Sequence, residues 1–187
     1  DLGKLKELIL LSQTTLESNS INQEYKLLAR LKITIANLLK GDFLETFLNI
    51  NKAKELINKG AIENIQGEKT RKNLSNYLGF ITSLYPLLEK ENNNQHSEII
   101  PHIGESHCLS FAHKTLYISS ELKQIQPVLI MGGKAWHFAT NKYNQWKDSL
   151  NQQIKNHTYS NKVLISFGEI DCRKDEGILT YSIKNNK

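Results

Sequence analysis

Two short segments hold most of the side chains that could do chemistry in this chain. The first is Gly104-Glu105-Ser106-His107, and the second is Gly168-Glu169-Ile170-Asp171-Cys172-Arg173. Each follows an apolar run that is rich in β-branched residues and ends at a glycine, a pattern typical of a buried parallel strand. Because chemistry in open α/β sheets collects at the carboxyl ends of the strands, we expect these side chains to meet at one edge of a sheet.

Ser106 is the candidate nucleophile. Gly104 permits a sharp turn out of the strand, and Ser106 then stands at the start of a helix, where backbone N–H groups are unpaired. Those groups, together with the N–H of Gly132 or Gly133 after a later apolar run, could hold an oxyanion. The alternative interpretation is that Ser106 is simply a helix N-cap, a position that serine favours.

A serine nucleophile needs a base within hydrogen-bond reach. His137 follows the second parallel run and is the candidate base, while His107 is adjacent to the serine and His113 lies seven residues later. Each of these histidines could equally be packed or solvated. Around the third run, Glu169, Asp171 and Arg173 could orient a base or bind substrate, together with Glu105 and His107, or could form a structural salt-bridge cluster.

The hydrophobic pattern predicts an α+β chain in two parts. Residues 1–91 are predicted to form antiparallel helices that break near 18–20, 41–42 and 60, with the last helix over about 68–88. The polar segment 92–97 is predicted to be a linker. Residues 98–187 alternate between strand and helix, which favours a partial doubly wound, flavodoxin-like sheet. Its predicted strands cover about 98–103, 115–118, 127–131 and 162–167, and its helices cover 107–113 and 141–156.

The three chemistry-bearing blocks resemble those of the SGNH (GDSL-type) hydrolases. Gly104-Glu105-Ser106-His107 is similar to the first block of that superfamily, Gly132-Gly133 to its second, and Gly168-Glu169-Ile170-Asp171 to its third. The resemblance covers about residues 98–180 and implies a serine esterase or acyltransferase, with O-acylated carbohydrate as the substrate class. It implies Ser106 as nucleophile, with backbone N–H groups of Ser106 and of Gly132 or Gly133 as oxyanion donors.

The chain departs from the SGNH pattern at three points. Ile170 stands where the superfamily has an asparagine oxyanion donor, and Glu105 replaces the first-block aspartate. No histidine follows Asp171, so the late Asp-x-x-His block that supplies the superfamily's base is missing. We therefore expect this domain to be incomplete or inactive as it stands, and the start at Asp1 is in keeping with a fragment of a longer product.

The helices around Gly41 resemble a tetratricopeptide hairpin. Gly41, Phe43 and Ala53 match that repeat, whereas Thr46 and Asn58 replace its alanine and proline. A plain helical bundle is the alternative. The resemblance implies a protein partner for the helical region, and it supports a second hypothesis for the whole chain. In that hypothesis, the protein is a non-catalytic interaction module that carries a degenerate SGNH-like half.

The composition of the chain bears on its partners, its location and its cofactors. The net charge of +5 comes from lysines spread along the chain, so we expect no nucleic-acid partner. No apolar run reaches the ~20 residues that span a bilayer, so we expect no membrane partner. Cys108 and Cys172 do not form a disulfide framework, which favours reduced thiols and a cytoplasmic location. No recognised ligand spacing joins these cysteines to His107 or His137, and we expect neither a metal nor another cofactor.

Overall fold

The computed structural model describes residues 2–89, 98–157, 160–174 and 177–184. The chain divides into two compact units, Asp1–Asn93 and Asn94–Lys187. The predicted linker, 92–97, lies outside the described residues. Helix and sheet are both present, so the coarse α+β prediction is confirmed, whereas the tetratricopeptide-like and SGNH-like arrangements stay predictions.

The first unit consists of helices in its described part. They are α1 (Leu2–Glu17), α2 (Gln23–Lys40), α3 (Phe43–Asn58) and α4 (Glu68–Glu89). Gly41 adopts a left-handed conformation with φ 78°, and the Asp42 N–H donates to the Asn37 carbonyl at 2.9 Å, which closes α2. The Asp42 side chain then accepts the Glu45 N–H at 3.1 Å and opens α3. The predicted break at 41–42 is therefore a two-residue link between consecutive helices.

The core of the first unit follows the helical spacing of its apolar residues. It includes Leu27, Leu31, Ile35, Leu38, Ile50, Ala53, Leu74, Leu78, Ile81 and Leu88, all buried. A polar contact crosses between α2 and α3, where Arg30 donates to the buried Asn49 side chain at 2.8 Å. Phe47 of α3 stacks on Tyr85 of α4 with ring centroids 5.4 Å apart. These contacts hold neighbouring helices together without deciding between a tetratricopeptide repeat and a plain bundle.

The second unit is built on a four-stranded mixed sheet in the order β2-β3-β1-β4. The strands are β1 (Glu98–Gly104), β2 (Thr115–Ile118), β3 (Glu121–Leu129) and β4 (Leu164–Ser166). β1 pairs in parallel with β3 and with β4, while β2 is antiparallel to β3. The two glycine-terminated runs are thus adjacent parallel strands, as expected, with Gly104 opposite Ser166.

Short helices connect and follow these strands. A 3-10 helix covers Ser106–Phe111, and the α-helices are α5 (Ala135–Ala139), α6 (Gln145–Asn156), α7 (Glu169–Cys172) and α8 (Ile178–Lys184). The sequence did not predict α5, α7 or α8. It also predicted that the sixth helix would start at 141, whereas Tyr143 precedes it and is 81% exposed.

Apolar residues cover both faces of the central strands. On one face Ile103, Val128 and Ile130 form a buried cluster, against which Trp146 and Leu150 of α6 pack. Cys108 and Leu109 of the 3-10 helix are fully buried, as are Ile100 and Ile125 in the strands. Along the described chain, none of the helices is both long and apolar enough to cross a membrane.

Candidate functional site

Ser106 lies one residue beyond Glu105, which directly follows the end of β1, and it begins the 3-10 helix Ser106–Phe111. The N-cap position of that helix belongs to Glu105, in an extended conformation, so Ser106 is not the N-cap. Ser106 is partly exposed. Among the described residues, no histidine is hydrogen-bonded to its hydroxyl group. The serine is accessible at the carboxyl edge of the sheet, but its base is not identified there.

Glu105 is the most buried acid of this edge, with only 1% of its surface exposed. Its Oε1 accepts the Glu169 N–H at 3.0 Å, which joins the loop after β1 to the loop after β4. Its Oε2 is buried and has no hydrogen-bond partner. Burial raises the pKa of the Glu105 carboxyl, and the nearby Glu169 carboxylate raises it further.

His107 and Glu169 lie beside the Glu105 carboxylate, and Arg173 pairs with Glu169. The Nδ1 atom of His107 lies 3.9 Å from Glu105 Oε1 and 3.6 Å from Glu169 Oε2. Arg173 donates through Nε to both Glu169 oxygens at 3.0 Å, and its Nη2 lies 2.8 Å from Oε2. The hydrogen bond from Arg173 lowers the pKa of the Glu169 carboxyl. These side chains form a half-exposed ionic cluster beside Ser106, which leaves both the catalytic and the structural interpretation open.

Asp171 connects the third block to the second. Its Oδ2 accepts the Ala135 N–H at 2.7 Å and its Oδ1 the Trp136 N–H at 3.4 Å, at the first turn of α5. Asp171 is 5% exposed, so its carboxylate is buried against backbone donors. This contact gives Asp171 a structural use, as a cap of α5.

The two candidate oxyanion glycines differ in availability. Gly133 is buried, and its N–H donates to the Ile130 carbonyl at 3.1 Å. Gly132 is exposed with φ 70°, and open space surrounds the position of a Cβ atom there. Of the pair, Gly132 is therefore the better candidate for an oxyanion donor.

His137 lies in a different cluster from Glu105 and His107. Its ring is buried and stacks on Trp146 with centroids 3.6 Å apart, and Trp136 is tilted against it at 4.2 Å. Its Nδ1 accepts the Lys134 N–H at 3.0 Å, so the neutral ring carries its proton on Nε2. Burial lowers the pKa of His137, and Lys134 lowers it further. An Nε2–H is a donor, so this arrangement does not favour His137 as a general base.

The two cysteines offer no shared ligand site. Cys108 is fully buried, and burial raises the pKa of its thiol to about 12. A thiol that holds its proton so strongly is a poor nucleophile and a poor metal ligand. Cys172 is exposed. The structure thus gives no support to a ligand set built on both cysteines.

One serine–histidine contact was not predicted from the sequence. His102 on β1 and Ser166 at the end of β4 are joined by a hydrogen bond of 2.8 Å between Nε2 and Oγ. Burial lowers the pKa of His102, and its Nδ1 is buried without a partner. If Nδ1 carried the proton, a buried N–H would have no acceptor. We therefore infer that the proton is on Nε2 and that Nε2 donates to Ser166. His102 lies two positions before Gly104 in β1, and residues two apart in a strand face the same side of the sheet. Because Gly104 is opposite Ser166, this spacing was the available signal for the contact.

Comparisons with known proteins identified no relative of this chain. A scan against protein-family models, a search of curated proteins and a search of solved structures each gave no match to this chain.

Proposed function

We propose that the second unit is an SGNH-like serine esterase or acyltransferase site with low or no activity in the 187-residue chain. Ser106 is the nucleophile, and the substrate is an acyl ester, with O-acylated carbohydrate as the candidate class. The observation that carries this proposal is the placement of Ser106 just beyond the carboxyl end of β1. There, the Glu105–Glu169 hydrogen bond joins its loop to the one after β4.

The proposed reaction has two steps. The Ser106 oxygen attacks the acyl carbonyl and gives its proton to a base, and the alcohol leaves with a proton as the acyl-serine ester forms. Water or an acceptor alcohol then takes the acyl group and restores the serine hydroxyl. Backbone N–H groups at the start of the 3-10 helix and at Gly132 are the candidate donors to the oxyanion.

A low rate follows from what surrounds Ser106. Serine is a weak nucleophile without an adjacent base, and none of the described histidines is hydrogen-bonded to it. Ile170, which is 8% exposed, has no side-chain donor for the oxyanion. The loss of one such donor costs about 2.7–4 kcal/mol of transition-state stabilisation in a well-studied serine protease. We therefore expect the 187-residue chain to hydrolyse simple esters slowly or not at all.

The test combines turnover with covalent labelling. The chain, Ser106→Ala and Ser166→Ala are incubated with p-nitrophenyl acetate, and each is treated with a fluorophosphonate probe and digested for mass spectrometry. We expect slow labelling at Ser106 that is lost in Ser106→Ala and retained in Ser166→Ala, and the same pattern for any turnover that is detected. Labelling of Ser166, or turnover unchanged by Ser106→Ala, would show that Ser106 is not the nucleophile.

A second function, the non-catalytic interaction module, is favoured by the surface of the first unit. Leu10 and Leu11 of α1 are 64% and 62% exposed, and Leu44 of α3 is 68% exposed. Adjacent exposed leucines such as Leu10 and Leu11 offer apolar surface that another protein could cover. If Ser106 is neither labelled nor needed for any turnover, this function replaces the esterase.

A further inference from the structure

Three potential metal-ligand atoms meet at the carboxyl edge of the second unit. A carboxylate oxygen of Glu105, a ring nitrogen of His107 and a carboxylate oxygen of Glu169 all lie within 4.8 Å of one another. Two of the residues follow β1 and the third follows β4, so the sheet brings the set together across 64 positions of sequence. Atoms at these separations can all reach one ion after small rotations of the two exposed side chains.

The Glu105 carboxyl group of this set is buried, and its hydrogen bonding is incomplete. Only 2% of its side chain is exposed, and Oε2 has no hydrogen-bond partner. Its Oε1 has the Glu169 N–H as a partner, while His107 Nδ1, at 3.9 Å, is beyond hydrogen-bond distance. A buried carboxyl oxygen without a hydrogen-bond partner is costly, and a cation is the kind of group that would remove the cost.

The Glu169 carboxylate can still bind a metal ion while it is paired with Arg173. The guanidinium group contacts both oxygens, yet each carboxylate oxygen has two lone pairs. A ligand carboxylate held by a second side chain is the usual arrangement in metal sites, because the outer contact fixes its orientation. Arg173 can therefore act as the group that positions Glu169.

We propose that Glu105, His107 and Glu169 form a binding site for one divalent transition-metal ion of the Zn²⁺ class. One imidazole and two carboxylates are ligands that suit borderline divalent ions, whereas Mg²⁺ and Ca²⁺ take oxygen ligands only. His107 and Glu169 are exposed, so the remaining coordination positions open to water. This inference does not depend on the esterase proposal, since it needs no chemistry at Ser106.

The competing explanation is that a protonated His107 is itself the cation between the two carboxylates. A second competitor is adventitious Zn²⁺ binding at the exposed Cys172. Calorimetric titration of the full chain with Zn²⁺ near neutral pH, and Co²⁺ absorption spectra, separate these cases. Neutral imidazole binds the metal and thiolate leaves its own signature in the Co²⁺ spectrum.

The variants are His107→Ala, Glu169→Gln and Cys172→Ser, with the exposed Glu63→Gln of the first unit as the matched carboxylate control. We expect one Zn²⁺ per chain, with affinity reduced at least about tenfold in His107→Ala and in Glu169→Gln. Cys172→Ser and Glu63→Gln should bind as the natural chain does. Metal-free thermal melts of each variant show whether it is folded, and both site variants change exposed side chains.

Three results would overturn the site. The first is an absence of Zn²⁺ binding by the folded natural chain. The second is binding that survives both His107→Ala and Glu169→Gln. The third is binding that is lost only in Cys172→Ser, with a thiolate signature in the Co²⁺ spectrum.

Discussion

Two buried acids at the carboxyl edge of the sheet are bonded to backbone donors. Glu105 accepts the first N–H of α7, and Asp171 accepts the first two N–H groups of α5. Each acid therefore ties its own loop to another one, 64 and 36 positions away. The same residues were predicted to support catalysis, and their backbone contacts show how the three loops are held in register whichever function is correct.

His102 should make the second unit sensitive to acid. Burial lowers the pKa of the folded ring below 6.5, its unfolded reference value, so the unfolded chain binds a proton that the folded chain does not. Stability is then complete above pH 6.5 and is lost as the pH falls below it, by at most about 1.4 kcal/mol per pH unit for one group. Thermal melts at about pH 7.5 and about pH 5.5 measure this loss.

The His102→Gln variant should lose less stability than the natural chain over the same pH range, because its side chain does not titrate. Ser166→Ala is the matched control: it removes the hydrogen-bond partner but keeps the ring, so its pH dependence should remain. His137, whose pKa burial also lowers, accounts for a residual slope. An equal pH dependence in His102→Gln and the natural chain would contradict the assignment.

At the scale of elements, the contact between β1 and β4 depends on Gly104. A Cβ atom at this position would lie 2.6 Å from the Ser166 carbonyl oxygen and 3.1 Å from Cys108 Cβ. We expect Gly104→Ala to destabilise the second unit by about 1–3 kcal/mol, because neither the strand backbone nor the buried 3-10 helix can yield freely. Urea unfolding measures the change.

Gly79→Ala is the matched control for that substitution. Gly79 lies in the exposed part of α4, and nothing lies within 4 Å of a Cβ atom there. Alanine favours a helix interior over glycine by about 0.8–1.0 kcal/mol, so this variant should be slightly more stable. Equal effects of the two substitutions would mean that the β1–β4 approach is not as close as the structure has it.

The strands were predictable in part. β1, β2 and β4 were predicted near their observed positions, but β3 begins at Glu121, six residues before the predicted start. The first half of β3 does not show the alternation of apolar and polar residues that is typical of a strand, because its buried position 123 is a lysine. Lys123 is 3% exposed and ion-pairs with Glu98 and Glu121, a compensation that no local pattern reveals.

The turn before β3 was also hidden. Ser119 and Ser120 have φ values of 53° and 68°, the conformation of a two-residue hairpin turn that usually selects asparagine or glycine. Two serines give no such signal, so the sequence did not link Thr115–Ile118 to the following strand. The short helices α5 and α7 were missed for a related reason, since their first turns are held by Asp171 and Glu105 from distant loops.

For the site as a whole, the sequence predicted which strand ends are neighbours, but it did not predict which side chains contact each other. Two glycine-terminated runs of parallel-strand character place Glu105 and Glu169 at one edge, and the β1–β4 register bears this out. The His102–Ser166 hydrogen bond and the stacking of His137 on Trp146 depend on side-chain directions across the sheet and on α6. Such directions follow from tertiary packing, so neither contact could be read from local sequence.

At the scale of the whole molecule, each unit has its own buried centre, and this predicts separable responses to core damage. Leu38 of α2 and Ile103 of β1 are both 0% exposed. Replacing either by alanine leaves a cavity and should cost about 2–5 kcal/mol in the unit that contains it. Hydrogen exchange of the full chain, followed by peptide mass spectrometry, reports where protection is lost.

Leu38→Ala should accelerate amide exchange in α2 and α3 and leave β1 and β3 protected, whereas Ile103→Ala should do the reverse. The two variants are controls for each other, because they remove similar apolar volume from equally buried positions. The division into Asp1–Asn93 and Asn94–Lys187 is the basis of the expectation. Loss of protection across both units in either variant would show that the chain unfolds as one cooperative body.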